Sequence, residues 1–496
     1  MSGSDASLSV PVISDDSVPP VPSSPDPSPS ARHSASTVTA ASKPGRWLAL
    51  DLVRFCAVFL MVQGHAFSSL LDPSYEGQRW LRHHNFVHGY TAPMFLFASG
   101  LAFGYTTFRG WASNTKVGDG LWRRYRRYGW LLAIGYAMAM PALSLTRLLA
   151  IDNPDTWRLW LRVDVLQHIG VSLVILQSLA VLLRTEKRFI AAVAALFLFA
   201  VFAAPFLWDW DAAHYFPTGI AAFLTSRTGS MFPLFPWAGF TYAGVLVAYA
   251  ARTVKKPSRE LAWPLLALTL ALFVLPVGLN RAGIQLYGAH DFWRSDPYYF
   301  FFRLANVLVI VTFWCFVERF AEGANWLKSL DVAKKIVSPT GMQTDQLTGM
   351  QTDELTGTQT GMQTDQLTGT QTGMQTATQT ATQIAQRTQP KTSPGKQSKS
   401  LLARIVEVVR IVGAESLLIY VTHLVLLHGS VLTVGFIHFT GRSLTLGQAA
   451  FFAGMLFVAM VATAWIWHEW KKEPWRFRVL QWGALAGFAF MMLTSD

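Results

Sequence analysis

What this chain can fold into is set by a recurrence of apolar stretches of near-bilayer length, separated by polar loops. About eleven can be marked off, at 47–71, 91–108, 128–148, 163–184, 189–207, 231–251, 261–279, 298–320, 408–429, 446–468 and 477–494. Pro205 interrupts the fifth. Backbone polar groups inside lipid must satisfy one another, and a helix does this within a single segment. The expected fold is therefore all-α, a polytopic transmembrane helix bundle with about eleven spans. Composition agrees: charged residues are 14% and hydrophobic residues 51% of 496, where a soluble domain carries roughly 25% charged residues.

The 41 Lys and Arg against 29 Asp and Glu give a net charge of +12. Such an excess would suit nucleic acid if it formed one patch, but the basic residues fall in loops between apolar spans. Arg109–Arg127, Arg184–Arg188, Arg252–Arg259, the 321–405 segment and Lys471–Arg478 are basic; the alternate loops offset their arginines with Asp152, Asp155, Asp209, Asp211, Asp291 and Asp296. By the positive-inside rule the basic set is cytoplasmic. No nucleic-acid partner is expected. The chain reads as an integral protein of a bacterial inner (plasma) membrane with its N-terminus cytoplasmic, and lipid as its first partner. An odd span count puts Asp496 outside, together with the loop holding His83, His84 and His88.

Four regions follow. Residues 1–44 are a Ser/Pro-rich stretch without an apolar core and read as a disordered cytoplasmic tail. Residues 45–325 hold spans one to eight. Residues 326–405 carry the decaying unit GMQTDQLTG, Gln/Thr-rich and without apolar surface to stack, and read as a cytoplasmic linker. Residues 406–496 hold the last three spans. Cys56 and Cys315, both in apolar spans, offer no disulfide framework.

Ionisable residues inside apolar spans are costly and face a bundle interior or a watery cavity. The first span carries Asp51, Arg54 and His65. Eleven steps of 100° return a helix to nearly the same face, so Arg54 and His65 share a stripe about 16 Å apart along the axis. Asp51 and Arg54, three apart, can also form an ion pair. The three clustered histidines of the following loop lack carboxylate or cysteine ligands at defined spacing, so no metal is expected. Asp164, Gln167 and His168 open the fourth span and are read as sharing one face. Pro233 and Pro236 break the start of the sixth, beside Trp237; Arg303 lies close to the outer end of the eighth; and Glu415, Ser416, Tyr420 and His423 fall within two turns of the ninth.

Several of these stretches resemble a known group. Arg54, ten residues and His65 form the R-x10-H pattern of the acyltransferase-3 family, and Leu50-Asp51-x-x-Arg54 resembles the opening motif of the heparan-glucosaminide N-acetyltransferase-type catalytic region. Gly-x-Thr-x-Pro-x-Phe-x-Phe-x-x-Gly from Gly89 to Gly100, VLQ-x-x-G from Val165, FPW-x-G from Phe235 and S-L-x-x-Y-x-x-H from Ser416 to His423 resemble further parts of these transmembrane acyltransferases. The resemblance covers about 47–470 apart from the linker.

The resemblance implies an acyltransferase with acetyl-CoA, or another acyl-CoA, as co-substrate and a glycan or similar small-molecule acceptor. Arg54, Arg123, Arg124 and Arg127 would meet coenzyme A phosphates. His65, or His84 or His88 in the outer loop, would act as base or acyl carrier, with Asp51 orienting Arg54. Asp164, Gln167, His168, Trp237, Arg303, Glu415, Tyr420 and His423 would contact the acceptor. The alternative is a transporter or channel without acyl chemistry, because intramembrane charges also mark transport pathways.

Overall fold

The computed structural model describes residues 47–284, 287–323, 401–430 and 432–494. The expected tail at 1–44 and most of the linker at 326–405 lie outside the described residues. Thirteen longer helices carry the described part: α1 (Leu48–Leu70), α2 (Arg79–His88), α3 (Thr91–Arg109), α4 (Asp119–Met138), α5 (Val165–Leu183), α6 (Glu186–Phe202), α7 (Leu234–Arg252), α8 (Pro257–Arg281), α9 (Pro297–Gly323), α10 (Leu401–Ala414), α11 (Ser416–His428), α12 (Leu446–Trp470) and α13 (Pro474–Thr494). The sheet among the described residues is one two-stranded hairpin, Gly429–Ser430 with Thr433–Val434.

Among the described residues seven helices are long and apolar enough to cross a membrane, α2 and α3 being counted as one. Counting α10 and α11 as one span bent by 73° makes eight. Three of the expected spans fall on α4, α6 and α13, which are helical but outside that set. In α4 the first half holds Arg123, Arg124, Arg126 and Arg127. α6 ends at Phe202, and a separate turn, Ala204–Leu207, carries Pro205. Large apolar side chains such as Trp263, Val274, Phe313, Phe451, Val458 and Ile466 are exposed. Apolar faces this wide seek lipid, and the chain is an integral membrane protein.

α1 is the hub. It packs against α3, α9, α10, α11 and α12. α3 and α7 form the most extensive pairing, and small residues make it close. A Cβ on Gly100 would run into the Thr241 carbonyl of α7, and one on Gly244 into the Phe97 carbonyl of α3. Small residues serve this purpose in lipid, where packing and not water exclusion drives helix association.

The basic loops gather at one end of the bundle. Trp111 Nε1 donates to the Arg184 carbonyl at 3.2 Å, Arg252 pairs with Glu186 at 2.8 Å, and Ala49 N donates to Glu318 at 3.0 Å. Gly413 lies against α1 at Asp51 and Arg54. His65, His88 and the start of α12 occupy the opposite end, where Leu444 N donates to the Leu70 carbonyl at 2.9 Å. α1 and α11 thus run in the same direction, and α12 returns between the two ends.

Candidate active site

Arg54 of α1, the stretch of α3 from Phe95 to Thr106, the middle of α4, the first half of α5 and the first turns of α11 enclose a cavity of about 410 Å³. Arg54, Arg124 and Arg127 line it, with Ser99, Thr106, Ser416 and Tyr420. Its remaining wall is apolar, from Phe95, Phe103, Leu131, Val165, Leu166, Ile169 and Leu173. Arg124 is held in place: Nη1 donates to Thr107 Oγ1 at 3.1 Å and to Gln177 Oε1 at 2.9 Å. Gln177 Nε2 in turn donates to the Asn114 carbonyl at 3.0 Å, which fixes its amide so that oxygen faces the guanidinium. Arg127 is exposed and Arg54 half-buried, both on the cavity. Arg123 is exposed and does not line it. Asp51 is buried one turn before Arg54.

Tyr420 joins this cavity to a row of histidines. Its ring lies 6.0 Å from that of His423. His423 stacks on His65, rings parallel within 5° and centroids 5.1 Å apart, with His65 Nδ1 to His423 Nε2 at 2.8 Å. The His88 ring follows at 5.5 Å from His65, and His84 at 6.3 Å from His88. Gly64 makes room for this: any Cβ there would occupy the His88 ring.

The acceptor atoms around the row assign its protons. A carbonyl can only accept, so His423 Nδ1 donates to Ile419 O at 2.7 Å and its Nε2 is left as an acceptor. His65 Nδ1 therefore donates to His423 Nε2, and His65 Nε2 keeps its lone pair. His88 Nδ1 donates to Leu60 O at 3.2 Å, which likewise leaves its Nε2 basic. The Gln63 amide meets His84 Nε2, and His84 Nδ1 reaches Asn85 Oδ1 at 3.1 Å.

Several expectations change here. The stretch with His83, His84 and His88 is helix α2 and not a loop; Arg79–His88 holds no Gly or Pro to break it. His84 and His88, four apart, face α1, while His83 is exposed and bonds its own helix at Arg79 O, 2.7 Å. Asp164, Gln167 and His168 do not share one face. Asp164 is the N-cap of α5, its Oδ1 accepting from Val165 N at 2.7 Å, and it lies within electrostatic reach of Tyr420. Gln167 fills the space over Gly135 of α4. His168 Nδ1 donates to Phe232 O at 3.0 Å. Glu415 also leaves the stripe. It sits at the α10–α11 bend, buried, bonded to His468 Nδ1 at 3.0 Å and to Lys471 Nζ of α12. With its carboxyl committed to these two α12 side chains, Glu415 anchors the bend and does not face the cavity.

Trp237 and Arg303 come together elsewhere. Arg303 lies 5.5 Å from the Trp237 ring and 4.4 Å from the Tyr299 ring, beside Asp296 in a crevice of about 10 Å³. Asp296 Oδ2 accepts from His290 Nε2 at 2.8 Å, and His290 Nδ1 donates to Gly288 O at 2.7 Å. Partial burial works against the imidazolium, but the Gly288 carbonyl and the Asp296 carboxylate outweigh it and raise the His290 pKa.

Ser99, Thr106 and Gln177 belong to no motif and escape a reading of the sequence, although a polar residue inside an apolar span is itself a signal. The contact of Ser69 with His428 Nε2 at 2.9 Å escapes it too. Among the described residues no group of three or more His, Cys, Asp or Glu is arranged to hold a metal ion.

A lipid-facing helical bundle with an arginine-lined cavity at one end and a histidine row reaching the other defines a class: polytopic membrane proteins with polar groups gathered in the bundle interior. Residues 46–290 match the family model described as heparan-alpha-glucosaminide N-acetyltransferase, catalytic, and that stretch of the chain is similar to this family of membrane acyltransferases. No curated protein and no solved structure matches the chain.

Proposed function

We propose that the protein transfers an acetyl group from acetyl-CoA, bound from the Arg54 end of the bundle, to a glycan or similar acceptor at the His65 end. The observation that carries this reading is the single residue Tyr420, which lines the arginine cavity and touches the histidine row. Phosphates of the donor meet Arg54 and Arg127, with Arg124 preset beside them; the apolar wall takes the pantetheine arm. Charge-assisted bonds from Arg to phosphate are among the strongest available. The thioester then lies near Tyr420 and His423. A histidine takes the proton of the acceptor hydroxyl or amine, the freed oxygen or nitrogen attacks the thioester carbon, and the carbon–sulfur bond breaks to release the thiolate. His65 is the first choice for the base and His84 or His88 the second. By the positive-inside rule the Arg54 end is cytoplasmic, in the inner membrane of a bacterium.

The test is transfer from labelled acetyl-CoA by the purified full chain, coupled to mass analysis of cellular glycans with and without the protein. The expected outcome is label transfer and an acetyl mark that disappears with the chain. Arg54→Ala and Arg127→Ala should raise KM for acetyl-CoA more than they lower kcat. A transporter would neither hydrolyse nor transfer the label.

A further inference from the structure

We infer that His423 is the positioning residue of the reaction: it holds His65 in the tautomer whose Nε2 is free to accept a proton. This rests on the acetyltransferase reading above and deepens it. The two residues are 358 positions apart in sequence. His423 lies outside the stretch that matches the family, on a helix that follows the 324–400 segment. The proposed active site is therefore completed by the C-terminal part of the chain.

Donor and acceptor roles decide the tautomer. His423 is fully buried and its Nδ1 proton is committed to the Ile419 carbonyl of its own helix at 2.7 Å. Its Nε2 can then only accept. The partner presented to it is His65 Nδ1 at 2.8 Å, with the two rings parallel. A His65 with its proton on Nδ1 has its basic lone pair on Nε2. When Nε2 takes the acceptor's proton, the imidazolium that forms keeps the same bond to His423, which stabilises it. A neutral imidazole here fills the place that a carboxylate takes in a hydrolase triad. The titratable groups facing the pair are His88 from α2, and His428 and Tyr420 from the helix of His423. The groups on α12 that could add charge, His468 and Lys471, are taken by Glu415 at the other end.

The experiment compares the detergent-purified full chain with His423→Gln and His423→Leu, measuring kcat and KM for acetyl-CoA. Histidine-selective nitrogen-15 NMR reads the His65 tautomer in the same samples. Gln keeps a hydrogen-bond acceptor near the Nε2 position; Leu does not. The expected result is a kcat loss of about 10²–10⁴-fold in His423→Leu. Its KM for acetyl-CoA changes far less than kcat, because the arginines that bind the donor's phosphates lie at the other end. The His65 Nδ1–H signal should be lost in Leu, while Gln keeps that signal and recovers most of the rate. Equal rates in Gln and Leu, or a His65 tautomer unmoved by Leu, would overturn the assignment. A parent chain that transfers no acetyl group would bring down the acetyltransferase reading itself, and this inference with it; a parent that is active alongside an equally active His423→Leu brings down this inference alone.

Discussion

A glycine without functional atoms offers a demanding test of the site. Replacing Gly in the middle of a helix by Ala ordinarily stabilises by about 1 kcal/mol. Gly129 of α4 has nothing within 4 Å of a would-be Cβ, so Gly129→Ala should follow that rule. Gly64→Ala should reverse it, because the new methyl lands on the His88 ring. The ring must leave, and with it the bond from His88 Nδ1 to Leu60 O, 3.2 Å in the parent. Overpacking costs about 1–3 kcal/mol and the lost bond about 1 kcal/mol. Set against the helical gain, the net is a destabilisation of about 1–3 kcal/mol. The assay is the thermal midpoint of detergent-purified parent, Gly64→Ala and Gly129→Ala at one scan rate, since unfolding of such proteins is often irreversible. Acetyl transfer is measured in parallel below the midpoint, where a displaced His88 should lower the rate. Gly64→Ala melting at or above the parent would falsify the placement of His88 against α1, and with it the histidine row as drawn.

Two further outcomes follow from the ends of the bundle. A cysteine placed at Asn85 should react with a membrane-impermeant thiol reagent in intact cells and one at Gly118 should not; the opposite labelling would invert the membrane orientation and the donor side with it. His290 and Asp296 should give the fold a pH dependence. Because the His290 pKa is raised by its two acceptors, the pair stabilises the fold fully below the ordinary histidine value of about 6.5 and loses that contribution as pH rises through the raised value. The parent's thermal midpoint should therefore fall more steeply between pH 6 and pH 8.5 (roughly the histidine range) than that of Asp296→Asn. That variant removes the carboxylate charge and keeps a side-chain oxygen to accept from Tyr299 N, as Asp296 Oδ1 does in the parent at 2.8 Å. Parallel slopes would show that the pair carries no such linkage.

The parts of this molecule that were legible in the sequence are those whose cause lies within one helix. Arg54 and His65 are on one stripe because eleven residues is close to three full turns, and the structure puts one on the cavity and the other in the histidine row. The breaks at Pro205 and ahead of Trp237 were legible for a similar reason, since proline acts on its own turn. What was hidden depends on a second helix. Glu415 reads as one more polar residue of an inward stripe until His468 and Lys471, more than fifty residues later, draw it to the bend. Asp164 reads as the first of a shared face until the chain starts its helix one residue later and uses the carboxylate as a cap. The span count suffers from the same cause: α4 is helical throughout, but its first half trades apolar residues for the arginines that the cavity needs. A site residue departs from the hydrophobic pattern because of its partner, and that partner is far away in sequence. The pairing of His65 with His423 is the limiting case, with neither residue's neighbours saying which nitrogen carries the proton. That is settled only when the Ile419 carbonyl, one turn before His423, takes one proton and leaves the other nitrogen to receive the next.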